Sequence, residues 1–186
     1  MTQLKIFKTY SEVVLPKFGT EQAACFDLAY QPHGKSQYTG YNKYNSVFTR
    51  PIQGTGHLVI MPGDRVMVPT GLIFDIPEGY SVRIHPRSGL SYKQGLVLAN
   101  LEAVIDSDYV QETFVLLTNL SENPQTINVG DRIAQAELVE QIKYEITETK
   151  TAPTQKTDRV GGLGSTGVAT VEIVEKRGRG RPKKVA

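Results

Sequence analysis

The chain contains no tryptophan, one cysteine and three histidines among its 186 residues. A single cysteine excludes an intrachain disulfide and points to a reducing compartment, so a cytoplasmic setting is expected. That thiol, Cys25, sits beside Phe26 in an apolar stretch and reads as buried filler rather than a nucleophile. His33, His57, His85 and Cys25 fall at no spacing that would close around a metal ion. No apolar run approaches the roughly 18 residues needed to cross a bilayer, and the opening MTQLKIFKTY lacks the apolar core of a secretion signal. Long helical periodicity, internal repeats and a nucleophile elbow of the Ser-His-Asp kind are also missing.

What is present is an ordinary globular composition, 39% hydrophobic and 22% charged, which fits one domain with a core and some excess. Short β-branched and aromatic runs recur: 4–8, 57–61, 65–68, 71–76, 80–85, 95–98, 109–117 and 132–139. Turn signals such as Pro62-Gly63-Asp64 and Pro77-Glu78-Gly79 separate them. This pattern predicts an all-β sandwich or barrel, with one short helix around 88–93. Residues 32–56 are rich in Tyr, Gly, Asn and Ser and read as a long inserted loop. The expected divisions are a β domain over 1–149, a glycine-rich mobile segment over 150–170 and a basic tail over 171–186.

Charge divides the chain in the same way. Lys176, Arg177, Arg179, Arg181, Lys183 and Lys184 hold six of the 21 basic residues, which leaves 15 basic against 19 acidic residues in the body, a net of −4. A mildly acidic body therefore carries a strongly basic end.

Three segments bear chemistry. In His85-Pro86-Arg87-Ser88-Gly89-Leu90, an Arg, a hydroxyl, a Gly and free helix N–H groups suit a phosphate; a strand-to-helix corner with a Ser cap would use the same residues. In Val104-Ile105-Asp106-Ser107-Asp108-Tyr109, a hairpin turn accounts for the composition. Yet Asp106 directly follows two core-type residues, which hints at a partly shielded carboxylate able to orient a water and accept its proton. In Gly162-Leu163-Gly164-Ser165-Thr166-Gly167, backbone N–H groups suit phosphates, although a flexible linker reads equally well and the Lys of a Walker A loop is lacking.

The order of these fragments resembles the homotrimeric dUTPase family, which is marked by five short motifs along one small β domain. The matching segments are Ala23-Ala24-Cys25-Phe26-Asp27-Leu28, Pro86-Arg87-Ser88-Gly89-Leu90, the run from Asn100 to Tyr109, Gly130-Asp131-Arg132-Ile133-Ala134-Gln135, and Gly161-Gly162-Leu163-Gly164-Ser165-Thr166-Gly167. The resemblance implies a jelly-roll β fold, a homotrimer and three active sites shared between subunits. It implies hydrolysis of dUTP to dUMP and pyrophosphate with Mg²⁺, limiting dUTP and supplying dUMP for thymidylate synthesis. Carried over residue by residue, it makes Asp106 the group that activates water. Arg87, Ser88, Gly89 and Gln135 hold phosphates; Asn100 and the Val104–Ile105 backbone read the uracil edge in a hairpin pocket. Tyr109 packs on the deoxyribose, Phe114 borders the base pocket, and Asp27 lies near the metal through water. Leu163, Gly164, Ser165 and Thr166 belong to a lid that closes from a neighbouring subunit, with Arg159 reaching the γ-phosphate.

This chain departs from the family pattern in places. Leu163 stands where an aromatic is usual, Asp158 where the lid Arg is usual, with Arg159 one residue late, and Ala103 where Gly is usual. The 176–184 run resembles an AT-hook, whose Arg-Gly-Arg-Pro core enters the narrow minor groove of A·T-rich DNA. Two other readings compete: a dCTP deaminase-like enzyme on the same fold, and a non-enzymatic DNA-binding or regulatory trimer. The Pro86–Gly89 and Asp106 patterns favour the dUTPase reading over both.

Overall fold

A computed structural model describes residues 2–158 and Gly161. Its first unit ends at Tyr144 and contains every regular element of the described residues. The strands are β1 (Lys5–Lys8), β2 (Phe26–Ala29), β3 (Gln37–Tyr41), β4 (Val47–Pro51), β5 (Leu58–Ile60), β6 (Arg65–Pro69), β7 (Leu72–Asp75) and β8 (Tyr80–His85). The helix α1 (Ser88–Gln94) follows, then β9 (Leu96–Leu98), β10 (Ala103–Ile105), β11 (Phe114–Asn119), β12 (Gln125–Ile127) and β13 (Arg132–Glu140). The all-β expectation holds, and the short helix stands where it was expected. Among the described residues no helix is long and apolar enough to cross a membrane.

Two sheets carry most of the body: a four-stranded sheet in the order β10-β8-β13-β2 and a five-stranded one in the order β4-β3-β6-β11-β9. Two-stranded pairs β1-β7 and β12-β5 complete the unit. The period-2 pattern fills the core with Leu28, Val66, Val68, Val82, Ile84, Leu96, Val115, Leu117, Ile133 and Ala136, all buried. Phe26 locks β2 into that core, with its ring edge-on to Phe18 at 5.9 Å and to Phe74 at 6.2 Å. The next residue, Asp27, therefore points to the opposite, outer face.

Three expectations need correction. The 32–56 segment is not a loop: β3 and β4 form an antiparallel hairpin, and β3 also pairs with β6. Tyr38 is buried and meets Phe48 edge-on at 6.2 Å, so aromatic rings replace the aliphatic side chains that signal a strand. At Gly40 a Cβ would stand 2.3 Å from the Arg65 carbonyl, so only glycine lets β3 approach β6. Arg50 fastens the hairpin by donating to the buried Asp64 at 2.6 Å while lying 3.8 Å over the Phe48 ring. Losing Asp64 would strand Arg50, at a cost below the roughly 3–5 kcal/mol of a fully buried pair because Arg50 is a third exposed.

The second correction concerns the run expected at 109–117. β11 begins only at Phe114, and the residues before it form the turn that leads out of β10. The third concerns the cap of α1. Arg87 is the N-cap residue, in extended conformation and without a side-chain cap bond, so Ser88 is the first helical residue rather than the cap. The helix stops at Gly95, whose φ of 67 is left-handed. A Cβ there would meet the Ser121 nitrogen at 2.9 Å.

The second unit starts at Glu145, slightly before the boundary expected at 149, and its residues 145–158 carry no strand or helix. Arg159, Leu163, Gly164, Ser165, Thr166 and the 171–186 tail lie outside the described residues.

Candidate active site

Cross-strand register builds the first half of the site. Gln135 on β13 stands opposite both Asp27 on β2 and His85 on β8, so the three share one row on the outer face of the four-stranded sheet. The register shifts between Arg132 and Ala134, where β13 bulges. Ile133 and Ala134 are consecutive and both buried. The extra residue thus turns Arg132 and Gln135, three apart, to the same outer face.

Arg87, at the corner after β8, reaches across this face. Its Nε donates to Asp27 Oδ1 at 2.8 Å, and its Nη1 donates to the Arg132 carbonyl at 3.2 Å. Arg132 donates Nη1 to Asp27 Oδ2 at 2.9 Å. Gln135 donates Nε2 to the Pro86 carbonyl at 3.0 Å, holding the corner to β13. Ser88 and Gly89 are exposed at the start of α1, beside this cluster. A polar cleft of about 330 Å³, lined by Arg87, Gln94, Asn128 and Arg132 among others, adjoins it. Two guanidinium groups and an amide on one face are groups chemically able to bind a phosphate.

The same geometry bears on a metal. Each Asp27 oxygen already accepts a guanidinium bond, so a divalent cation there would sit beside two positive groups. Among the described residues no group of three or more His, Cys, Asp or Glu side chains is placed to hold a metal ion. Among the described residues the protein side chains alone therefore do not enclose a Mg²⁺ ion, whereas contact of Asp27 with a metal through water, as expected, needs no such cluster. Nearby, Cys25 is half-buried, and burial together with Glu137 and Asp27 pushes its thiol up.

The second half of the site is the turn after β10. The Asp106 carbonyl accepts from Tyr109 N at 3.1 Å, and the Tyr109 hydroxyl donates to the Glu112 carbonyl at 3.1 Å. The Glu112 carboxylate accepts from Gly71 N at 3.0 Å and from Lys35 at 2.8 Å, which pins the turn to the body. Lys35 also lies 5.4 Å from the centre of the Phe114 ring. Two expectations change at this turn. Asp106 is exposed in the single chain, not shielded by its apolar neighbours: Val104 itself is 47% exposed on the outer face. The segment is also not a hydrogen-bonded hairpin, since β10 pairs with β8 while β11 pairs with β6 and β9 in the other sheet. Asn100 stands just before β10 and is exposed.

Register also sets how far apart the two halves lie. Ile105 pairs with Val82, so Asp106 stands near the Ser81 end of β8, whereas Arg87 lies past the His85 end. Four residues along the strand span about 13 Å, and three strand spacings from β10 to β2 span about 14 Å; the diagonal is roughly 20 Å. One chain does not bring Asp106 to the Asp27–Arg87–Gln135 cluster. Sequence reasoning assigned no role to Arg132 or Glu112. Arg132 was visible only as a member of a motif, and the bulge that aims it leaves no residue-type signal.

A family model described as dUTPase matches residues 52–167. A deoxyuridine 5'-triphosphate nucleotidohydrolase of Brucella melitensis is 49% identical over 113 residues, covering 60% of this chain and 71% of that protein. The structure of a Staphylococcus bacteriophage 80alpha dUTPase with dUPNHPP is similar at a TM-score of 0.69 and 19% identity, over 90% of this chain and 100% of that one. A dUTPase mutant from phage phi11 of S. aureus, whose structure reveals the coordination of a structural Mg(II) ion, is similar at a TM-score of 0.61 and 18% identity, over 81% and 98%.

Proposed function

The chain belongs to the dUTPase family, and from that premise we propose that it hydrolyses dUTP to dUMP and pyrophosphate at sites assembled between copies of itself. The observation that supports the assembly is the register, which sets Asp106 at the Ser81 end of β8 and Arg87 past its His85 end, a backbone separation of roughly 20 Å from strand spacings. A homotrimer supplies the second half of each site from a neighbouring copy, which also covers the exposed Asp106.

In this reading Asp106 orients a water and accepts its proton as the oxygen attacks the α-phosphorus. The bond from that phosphorus to the bridging oxygen breaks, and pyrophosphate leaves. Arg87, Ser88, Gly89 and Gln135 hold the phosphates and take up the charge that develops on the leaving group. Tyr109 presents a 40% exposed ring against the deoxyribose, where a 2′-hydroxyl would clash. Asn100 and the Val104–Ile105 backbone read the uracil edge, with Phe114 beside them. Cytosine would put a donor where uracil has an acceptor and leave polar groups unpaired, a loss of about 1–3 kcal/mol per group. The contacts expected of Arg159, Leu163, Gly164, Ser165 and Thr166 fall outside the described residues. Bound to the triphosphate, Mg²⁺ would supply neutralisation of its charge.

Pyrophosphate release measured with dUTP, dCTP, dTTP and UTP tests this. Release from dUTP far above the other three is expected; ammonia release from dCTP would favour the deaminase reading instead. The Arg-Gly-Arg-Pro core of the basic tail supports a second role, contact with A·T-rich DNA. Deleting 176–186 is expected to abolish salt-sensitive retention on such DNA and to leave dUTP hydrolysis intact. Equal retention by the truncated protein would refute it.

A further inference from the structure

We propose that the β3–β4 hairpin binds single-stranded DNA on the outer face of the five-stranded sheet, a role separate from dUTP hydrolysis. Both strands lie before residue 52, where the dUTPase match begins, so the family likeness does not account for the face they build. Register sets its rows. Val47, Tyr41 and Arg65 stand side by side across β4, β3 and β6, and Thr49, Thr39, Met67 and Leu116 form the next row. Tyr41, Val47, Met67 and Leu116 are all exposed. With Thr39 and Arg65 they line a groove of about 640 Å³, a size that takes small organic groups. The platform is preformed: the Arg50–Asp64 pair and the Tyr38 hydroxyl, donating to the Val59 carbonyl at 2.7 Å, fasten the hairpin to the body.

Charge singles out this hairpin. No Asp or Glu occurs between Asp27 and Asp64, in a body whose net charge is −4. Lys35 is neutralised by Glu112 and Arg50 by Asp64. Lys43 and Arg65 pair with no carboxylate among the described residues. Each stands beside a tyrosine ring instead: Lys43 is 5.1 Å from the centre of Tyr44, and Arg65 is 5.7 Å from that of Tyr41. Tyr44, at the hairpin tip, is 77% exposed. Two exposed rings with two uncompensated cations, beside an apolar groove, match a chain of alternating bases and phosphates. The rings and groove take base faces, and the cations take phosphate oxygens. A duplex hides those faces in its stack, so the fit is to a single strand. The Arg-Gly-Arg-Pro core of the tail favours DNA as its source. Two copies meeting face to face here would bring like charges together, which disfavours a contact between copies.

The test uses the full chain with a fluorescent oligothymidylate and, in parallel, an A·T-rich duplex and an oligouridylate, all read by anisotropy across a salt series. Replacing both rings, Tyr41→Ser with Tyr44→Ser, is expected to weaken single-strand binding by roughly ten- to a hundredfold. Duplex binding should stay within about twofold, because a duplex offers the rings no base face. Lys43→Gln should lower the slope of log affinity against log salt by about 0.7, the worth of one phosphate contact on a single strand. Failure of the wild-type chain to bind the oligothymidylate, unchanged binding by the tyrosine variant, or equal losses on single strand and duplex overturns the proposal. Tighter binding of oligouridylate than of oligothymidylate overturns the choice of DNA. A smaller assembly for the tyrosine variant in sedimentation would assign the face to contact between copies and overturn it as well. Should the double variant fail to fold, Tyr44→Ser at the exposed tip decides alone: a loss of about fivefold or more on the single strand, with the duplex unaffected, supports the proposal, and a smaller loss overturns it.

Discussion

Asp106→Asn is expected to lower kcat for dUTP by about 10²- to 10⁴-fold, the usual worth of a positioned general base. Nucleotide binding should remain within a few-fold of wild type. Asparagine keeps the shape and an oxygen that can orient water, but it does not accept a proton at neutral pH. The turn that carries residue 106 should survive, because its bonds come from the backbone of Asp106 and Tyr109 and from the Glu112 anchor on Gly71 and Lys35, none of which uses the Asp106 carboxylate. The loss is therefore expected in kcat rather than in KM or the melting temperature. Single-turnover pyrophosphate release, paired with titration of the imido analogue, separates the two. A variant that keeps near-full kcat would show that another group takes the proton.

The fold was legible where packing is written in β-branched residues. The 65–68, 80–85 and 132–139 runs each became a strand of the two main sheets, because alternate Val, Ile, Leu and Ala side chains enter the core. The β3–β4 hairpin was illegible for a physical reason. Its inward side chains are Tyr38, Gly40 and Phe48, and its main fastening is the Arg50–Asp64 pair, which joins residues distant in sequence. A glycine chosen for close approach and a tyrosine chosen for a ring contact look like loop residues when neighbours are unknown. β10 went unnoticed because three residues between turn signals carry no periodicity.

The site was legible as a set of residue types and less so as geometry. The motif order grouped Asp27, Arg87 and Gln135, and the sheet register places them together. Asp106 is exposed within one chain, because apolar neighbours along a strand say nothing of which face they line. Ile105 turns toward the core and Val104 toward solvent, so the pair offers no cover to the turn that follows. The separation of the two halves depends on pairing register between β10 and β8, which no local pattern encodes.

That separation is the central claim, and it carries the second large prediction. Arg87→Ala removes the phosphate arm but keeps Asp106; Asp106→Asn does the reverse. Each variant alone should be nearly inactive, since every site in its homotrimer lacks one half. Arg87 is half-buried at a corner held also by Gln135, so its loss should leave the chain folded. When the two variants are unfolded together and refolded, a site can draw an intact Arg87 from one copy and an intact Asp106 from its neighbour. With equal mixing and random assembly, about a quarter of the sites would be whole. The direct measurement is pyrophosphate release from dUTP by that co-refolded mixture against each variant refolded alone. Recovery to about a quarter of wild-type turnover is the expected result under random closed assembly. A mixture no more active than the two variants kept apart would mean that each site lies within one chain, and would contradict catalysis at sites shared between copies.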